Sequence, residues 1–235
     1  MMVTNNKNIF EAISKHYIRE DSHWGSDLDI IKTTIDELIK RKDKPEWLDI
    51  GCGPGFHVVS IGEFYPEVEI TGIDYSSSML EQAKKRTKKL GLENITFKEV
   101  DIISGHLNEK YDLITFLNNG FGNLYQNGSN PKEIRNKVIE KIVNSLNKEG
   151  YIILSVYNRE KLNIDYGLNL RLLEDLSDLK NGDLFVKWIT KGITYYSHWF
   201  TEKELYELAE KSGLELDFLE RRMSRFLVRY KKLGG

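Results

Sequence analysis

Short apolar runs alternate with amphipathic stretches along this chain. Trp47 to Ile50, Val68 to Ile73, Ile95 to Val100, Tyr111 to Leu117 and Tyr151 to Tyr157 are each four to seven residues long, and several are nearly continuous in hydrophobicity. Such runs suit strands covered on both faces, as in a parallel sheet. Between them the apolar positions recur at helical spacing. Ser76 to Leu90 carries Met79, Leu80, Ala83 and Thr87 on one side and stops at Gly91. Asn130-Pro131-Lys132-Glu133 opens another helix with a cap, a first-turn proline and a capping glutamate in order.

This β-α-β alternation predicts an α/β fold: a doubly wound, Rossmann-like, mostly parallel seven-stranded sheet with helices on both faces. Its ligand crevice lies at the carboxyl ends of the strands. Two helical segments, Asn8 to Arg19 and Leu28 to Lys40, precede the first strand. The stretch from Asn158 to Phe200 interrupts the alternation, and its second half predicts a hairpin, Leu184 to Thr190 and Ile193 to Phe200 around Lys191-Gly192. The helix Thr201 to Lys211 and the strands Leu214 to Arg221 and Arg225 to Tyr230 close the chain. One domain is expected, divided into an N-terminal helical lid (1–42), a ligand-binding core (43–157), a specificity insertion (158–200) and a C-terminal helix with strands (201–235).

Composition narrows the partners. The chain's 235 residues suit one sizeable domain. Its 36 acids against 34 bases exert no global pull toward nucleic acid or anionic lipid. A single cysteine, Cys52, excludes an internal disulfide framework and a multi-cysteine zinc site. No apolar run approaches the ~18–20 residues of a membrane span, and Met1 to Phe10 lacks the basic patch and apolar block of a secretory signal. The expectation is a cytoplasmic protein with no membrane partner and no metal.

The chemistry concentrates in Leu48-Asp49-Ile50-Gly51-Cys52-Gly53-Pro54-Gly55-Phe56, which runs from a strand into a helix. Glycines at alternate positions permit positive φ and a close approach of backbone to ligand. An acid follows at the end of the second strand, Asp74, 19 residues after Gly55, where a carboxylate can accept two ribose hydroxyls. Together they indicate an adenosine ligand. Phe56 stands where the dinucleotide fingerprint needs its last glycine, which disfavours NAD, and Phe56-His57 replaces the Lys-Ser/Thr of a phosphate-binding loop. Asp49 beside the turn suits a cationic ligand better than a pyrophosphate.

On these residues the segment resembles the first motif, acid-x-Gly-x-Gly-x-Gly, of class I S-adenosylmethionine-dependent methyltransferases. The resemblance covers Trp47 to Tyr157 and, more loosely, the terminal helix and strands. It implies S-adenosylmethionine as cofactor, with Asp74 on the ribose, Asp101 facing the adenine amine, Asn118 beside the methionine part and Asp49 near the ligand's amino group. Tyr75, Met79 and Ile102 join Gly51, Gly53 and Gly55 in the implied cofactor set, and Tyr17 or Trp24 would close over it. Cys52 is assigned no chemistry.

Methyl transfer must occur beyond the fourth strand, at Asn118-Asn119-Gly120-Phe121-Gly122-Asn123-Leu124-Tyr125. Carboxamides and aromatics there make a plausible pocket for a polar acceptor and a sulfonium, with Asn119 and Tyr125 as candidate catalytic residues. His198, in a stretch resembling several methyltransferase groups including those acting on the tRNA wobble uridine, is a candidate general base, weighed against a purely structural role; Thr201 to Glu204 is explained by helix capping. The Asn-Pro-Pro-Tyr signature of DNA and protein-amide methyltransferases is missing. Basic clusters at Lys84-Lys85-Arg86 with Lys88-Lys89, and at Arg221-Arg222, Arg225, Arg229 and Lys231-Lys232, are read as solvated faces or phosphate contacts. Three functions follow in order: methyl transfer to nitrogen or oxygen of a small polar molecule, tRNA modification, and a non-catalytic cofactor-binding subunit. The chain is expected to be a monomer or homodimer.

Overall fold

Each central strand presents apolar side chains to both faces of the sheet, which explains the unbroken hydrophobic runs. The computed structural model describes residues 25–161, 170–188, 192–222 and 224–234. The expected helix Asn8 to Arg19, together with Tyr17 and Trp24, lies outside these residues. Helix α1 (Gly25–Ile39) leads into β1 (Glu46–Ile50), α2 (Phe56–Phe64), β2 (Glu69–Asp74), α3 (Ser77–Leu90), β3 (Ile95–Glu99) and β4 (Tyr111–Phe116). Then come α4 (Pro131–Asn144) and β5 (Leu146–Tyr157), followed by β6 (Leu170–Leu172), β7 (Asp183–Trp188) and β8 (Ile193–His198). Helix α5 (Glu202–Lys211) and strands β9 (Leu214–Arg222) and β10 (Arg225–Lys232) complete the described chain.

Seven strands form one sheet in the order β3-β2-β1-β4-β5-β10-β9. The first five run parallel, and β10 is antiparallel to both β5 and β9. The chain reverses direction across the sheet beside β1, so the switch point lies above β1 and β4, where ligands of such folds bind. On one face, Ile31 and Ile35 of α1, Val58 and Ile61 of α2 and Leu80 of α3 pack against Trp47, Leu113 and Ile153. On the other, Val138, Ile139 and Ile142 of α4 and Leu205 of α5 pack against Leu48, Ile114 and Ile152. Adjacent residues such as Leu113 and Ile114 therefore serve opposite cores.

Helix ends follow the capping chemistry. Ser76 accepts from the Met79 amide and Gly91 ends α3 at φ 67°. Asn130 accepts from the Lys132 amide, so the cap engages the second helical residue. Thr201 and Glu204 form a reciprocal capping box on α5.

The insertion differs from its expected form. It builds a separate antiparallel sheet, β6-β7-β8, whose third strand, Leu170–Leu172, is three residues long and too short to display a period. The hairpin's second strand ends at His198 because the chain then returns to the core: the Phe200 amide donates to the Tyr157 carbonyl at 2.8 Å and the Arg159 amide to the Phe200 carbonyl at 2.8 Å. Strand β5 begins at Leu146, ahead of the expected Tyr151, and passes through Glu149 at φ 56°. No described helix is long and apolar enough to cross a membrane.

The loop after β3 is held from beneath by one side chain of α4. Lys141 Nζ donates to the carbonyls of Ile102, Ile103 and Gly105 at 3.1, 2.8 and 2.8 Å. Burial lowers its pKa below the usual lysine value, against the opposing pull of Asp101. Lys141→Met keeps the apolar stem and removes the three bonds. It is expected to cost about 2 kcal/mol of stability in urea unfolding; a change within error would show that these bonds contribute nothing net.

Candidate active site

The carboxyl ends of β1, β2, β3 and β4 converge on one edge of the sheet, in the registers Ile50↔Ile73, Asp74↔Glu99 and Ile50↔Phe116. Asp49, next to last in β1, is only 2% exposed. Thr115, its register partner on β4, donates its hydroxyl to Asp49 Oδ1 at 2.6 Å and accepts from Trp47 Nε1 at 2.9 Å. The indole thus fixes which way the hydroxyl points. Burial pushes the Asp49 carboxyl up to about 7, the Thr115 bond pulls it back, and the charge of Asp74 adds to the rise. A carboxylate in this condition favours a cation beside it.

The turn after β1 wraps around Asp74. The Gly53 amide donates to Asp74 Oδ2 at 2.9 Å, and the Ser76 amide to Oδ1 at 2.9 Å. A carboxylate oxygen can accept more than one hydrogen bond. Gly53 and Gly55 are both left-handed, at φ 54° and 81°, for different reasons. A Cβ on Gly55 would lie 2.9 Å from the Ala83 Cβ, whereas one on Gly53 would meet nothing within 4 Å. Gly55 therefore lets α3 approach, and Gly53 leaves backbone bare beside open space. Cys52 is buried, and burial raises its thiol pKa further, so the thiol stays protonated.

At the remaining strand ends, Asp101 Oδ1 accepts from the Ile103 amide at 3.0 Å in a tight turn that buries Ile102. Met79 is buried in the first turn of α3, and Tyr75 is half-buried. Asn118 and Asn119 turn the chain with consecutive positive φ values of 53° and 58°, a conformation that asparagine tolerates better than most residues. Ser155 of β5 secures the turn, accepting the Asn118 amide on its hydroxyl at 2.7 Å and the Asn119 amide on its carbonyl at 2.8 Å.

Two of the three catalytic candidates are engaged elsewhere. The Asn119 side chain is fully buried. Its Oδ1 accepts from the Tyr157 amide at 3.0 Å, and its Nδ2 donates to Asn123 Oδ1 at 3.1 Å and Ser197 Oγ at 3.0 Å. It joins the loop after β4 to β5 and β8, which is a structural task. His198, 4% exposed, has Nδ1 at 2.7 Å from Asp183 Oδ1 and Nε2 at 3.5 Å from Glu204 Oε1. Each ring nitrogen already faces a carboxylate, which leaves neither turned toward a substrate, and the expected general base becomes part of a partly buried charge network. Burial acts to raise both acids, but hydrogen bonds outweigh it. Those from His198 and Tyr196 hold Asp183 below its usual value, and those from His198 and Thr201 hold Glu204 at about 2. Tyr125 remains half-buried, stacked on Tyr196 at 5.0 Å and edge-on to Phe185 at 5.6 Å.

Sequence reasoning missed Arg135, Asp183 and Lys141. The signal for Arg135 was present: on α4 it shares the buried stripe of Ile134, Val138, Ile139 and Ile142, where an unpaired arginine would be untenable. His57, buried at the start of α2, is driven down to about 3 by burial and by the nearby charge of Arg225, and so stays neutral. The C-terminal basic cluster is largely neutralised: Arg221 pairs with Glu202, Arg222 with Glu220, Arg225 with Asp27, and Arg229 with Glu37 and Asp217.

The two glycines separate by experiment. Gly55→Ala is expected to lose about 2 kcal/mol in chemical denaturation through strain and the clash with Ala83. Gly53→Ala is expected to lose only about 1 kcal/mol from its left-handed backbone, yet to weaken S-adenosylhomocysteine binding in calorimetry far more than Gly55→Ala does in proportion to stability. Equal binding by Gly53→Ala and the parent would remove Gly53 from the ligand cradle.

A family model described as a methyltransferase domain matches residues 41–213. A malonyl-[acyl-carrier protein] O-methyltransferase of Acetivibrio thermocellus is 25% identical over 235 residues, covering 96% of this chain and 78% of its own. One of the same name from Anoxybacillus flavithermus is 29% identical over 149 residues, covering 63% of this chain and about half (53%) of its own length. Among solved structures, an S-adenosylmethionine-dependent methyltransferase from Clostridium acetobutylicum superposes with a TM-score of 0.70 at 19% identity, covering 98% of this chain and 100% of that one. The family match spans β1 to the end of α5 and includes every strand end that builds the crevice. The chain belongs to the methyltransferase domain family, with the fold of the class I S-adenosylmethionine-dependent enzymes.

Proposed function

We propose that this enzyme transfers the methyl group of S-adenosylmethionine to a carboxylate oxygen of a small polar acid. The residues at the strand ends fit the cofactor. Asp49 is a buried acid whose raised pKa an ammonium would relieve, and Gly53 leaves open space in which a side chain would otherwise stand. In this reading Asp49 receives the amino group, Asp74 the ribose hydroxyls and Asp101 the adenine amine. Gly51 and Gly53 lie beneath the ligand, Ile102 and Met79 flank the base, and the backbone of Asn118 borders the methionine chain.

The observation that carries the acceptor class is that the two buried histidines among the described residues, His57 and His198, are poorly suited to act as bases. His198 lies between two carboxylates, and His57 is held neutral with a pKa near 3. A carboxylate acceptor needs no base, because it is already ionised at neutral pH. The relatives named as malonyl-[acyl-carrier protein] O-methyltransferases support the same class: a malonyl thioester has one ionised oxygen nucleophile, its free carboxylate. When bound, S-adenosylmethionine supplies a methyl group on a sulfonium, an electrophile strong enough to need no covalent help from the protein. The residues of this chain then align the acceptor oxygen at ~3–3.5 Å in line with the breaking bond and exclude water. Tyr125 and Phe185, packed edge to face, are aromatic side chains of the kind suited to border both acceptor and sulfonium.

The reaction test uses methyl-labelled S-adenosylmethionine with malonyl-coenzyme A and short dicarboxylic acids. A methyl ester is expected, so mild alkali should release the label as methanol. Alkali-stable label, as in an N-methyl product, or label found on added tRNA would overturn the carboxylate reading.

Cofactor binding should also depend on pH with a definite sign. The unliganded Asp49 carboxyl titrates at about 7, and the ligand's ammonium favours its ionised form, so binding lowers that pKa. Affinity is therefore full just above pH 7 and falls as the pH drops below it, approaching about tenfold per pH unit. Calorimetry with S-adenosylhomocysteine between roughly pH 7.5 and 5.5 reads this slope. Asp49→Asn should abolish it, and an unchanged slope in that variant would exclude Asp49 as the ammonium's partner.

A further inference from the structure

The insertion sheet meets α4 through one buried cation. Arg135, 6% exposed, donates from Nη1 to the Tyr196 hydroxyl at 2.5 Å. Its Nη2 lies 3.6 Å from Asp183 Oδ1 and 3.2 Å from His198 Nδ1. Tyr196 in turn donates to Asp183 Oδ1, which also takes the Nδ1 proton of His198. Asp183 and His198 are direct cross-strand partners on β7 and β8, and Phe185 and Tyr196 are the next pair on the same face. That face therefore carries two adjoining layers, one charged and one aromatic.

The aromatic layer reaches the loop after β4. Tyr196 is fully buried and stacks at 5.0 Å on Tyr125, the half-buried ring at the end of the loop after β4. The same loop is attached to β8 by backbone: the His198 amide donates to the Gly122 carbonyl at 2.8 Å. At the other end of the network Glu204 of α5 receives Arg159, whose Nε donates to the Trp199 carbonyl at 3.0 Å. The sheet is thus secured to the core at both ends, and removing Arg135 would leave the partly buried Asp183 without its guanidinium.

We propose that Arg135 is a positioning residue for the acceptor site, acting through Tyr196 to fix the Tyr125 ring, while the cofactor site remains independent of it. The independence follows from placement. The cofactor residues of β1 to β3 are fixed by Thr115, Ser76 and Lys141, none of which touches this network. This inference rests on methyl transfer occurring beyond β4, as proposed above.

The test compares the parent enzyme with Arg135→Met, Arg135→Lys and Tyr196→Phe by amide hydrogen exchange and by S-adenosylhomocysteine calorimetry. In Arg135→Met, exchange in residues 120–126 and in β8 should accelerate about tenfold or more, with β1 and β4 unchanged and ligand affinity within about threefold. Tyr196→Phe should shift the same segments in part, and Arg135→Lys should restore them partly. With whichever carboxylate the parent methylates, KM for the acceptor should rise about tenfold while kcat changes less than about threefold. Unchanged exchange at 120–126, or loss of S-adenosylhomocysteine affinity in step with the exchange, would overturn the proposal. If the parent gives no alkali-labile product, the carboxylate reading alone fails, and hydrogen exchange still decides the role of Arg135. Should Arg135→Met not fold, Tyr196→Phe carries the same comparison.

Discussion

A carboxylate sealed at the end of the central strand organises this crevice. Asp49 has lost nearly all contact with water, and its register partner Thr115 gives it one strong hydrogen bond. Burying an acid this way is costly unless a cation completes the site or the acid takes up a proton. That cost is tolerable because β1 lies between β2 and β4 in a sheet covered on both faces, so Asp49 cannot turn outward. The left-handed glycines beyond it turn the chain sharply enough for Asp74 to take the Gly53 amide. Two acids and a bare backbone are thus gathered at neighbouring strand ends, a combination that disfavours a pyrophosphate and favours a ligand with a cationic end.

A second arrangement stands beside the first with a different logic. The cofactor side is built from strand ends and short turns, fixed by bonds within a few residues, to a neighbouring strand or, for the loop after β3, to Lys141 of α4. The acceptor side is built from parts far apart in sequence, brought together by partly buried charge: Arg135 of α4, Asp183 and His198 of the inserted sheet, and Glu204 of α5. Hydrogen bonds hold both acids in their ionised form. One fold can then keep a fixed cofactor site while the inserted sheet sets which acceptor fits.

The cofactor side was the more legible in the sequence, and the reason is physical. Gly51, Gly53 and Gly55 announce a backbone geometry that other residues resist, and the acids at Asp49, Asp74 and Asp101 lie at or just beyond the ends of strands that hydrophobicity marks. The acceptor side carries no such local signal. Asn119 and His198 are polar residues beside a crevice, a pattern shared by catalytic groups and by groups that satisfy a buried backbone. Only the fold separates these cases, because the partner of Asn119 that decides it, Ser197, lies 78 positions away. Arg135 was readable in principle from its place on the apolar stripe of α4, but its partners were not. Strand β6 was hidden by its length, and the start of β5 by the polar turn at Glu149.

The central claim, that the turn after β1 with Asp49 and Asp74 holds a cationic adenosine ligand, is tested most directly by calorimetric titration of the protein with S-adenosylmethionine, S-adenosylhomocysteine and NAD. The account predicts micromolar binding of the first two and none of NAD. Binding of NAD alone, or of none of the three, would contradict it.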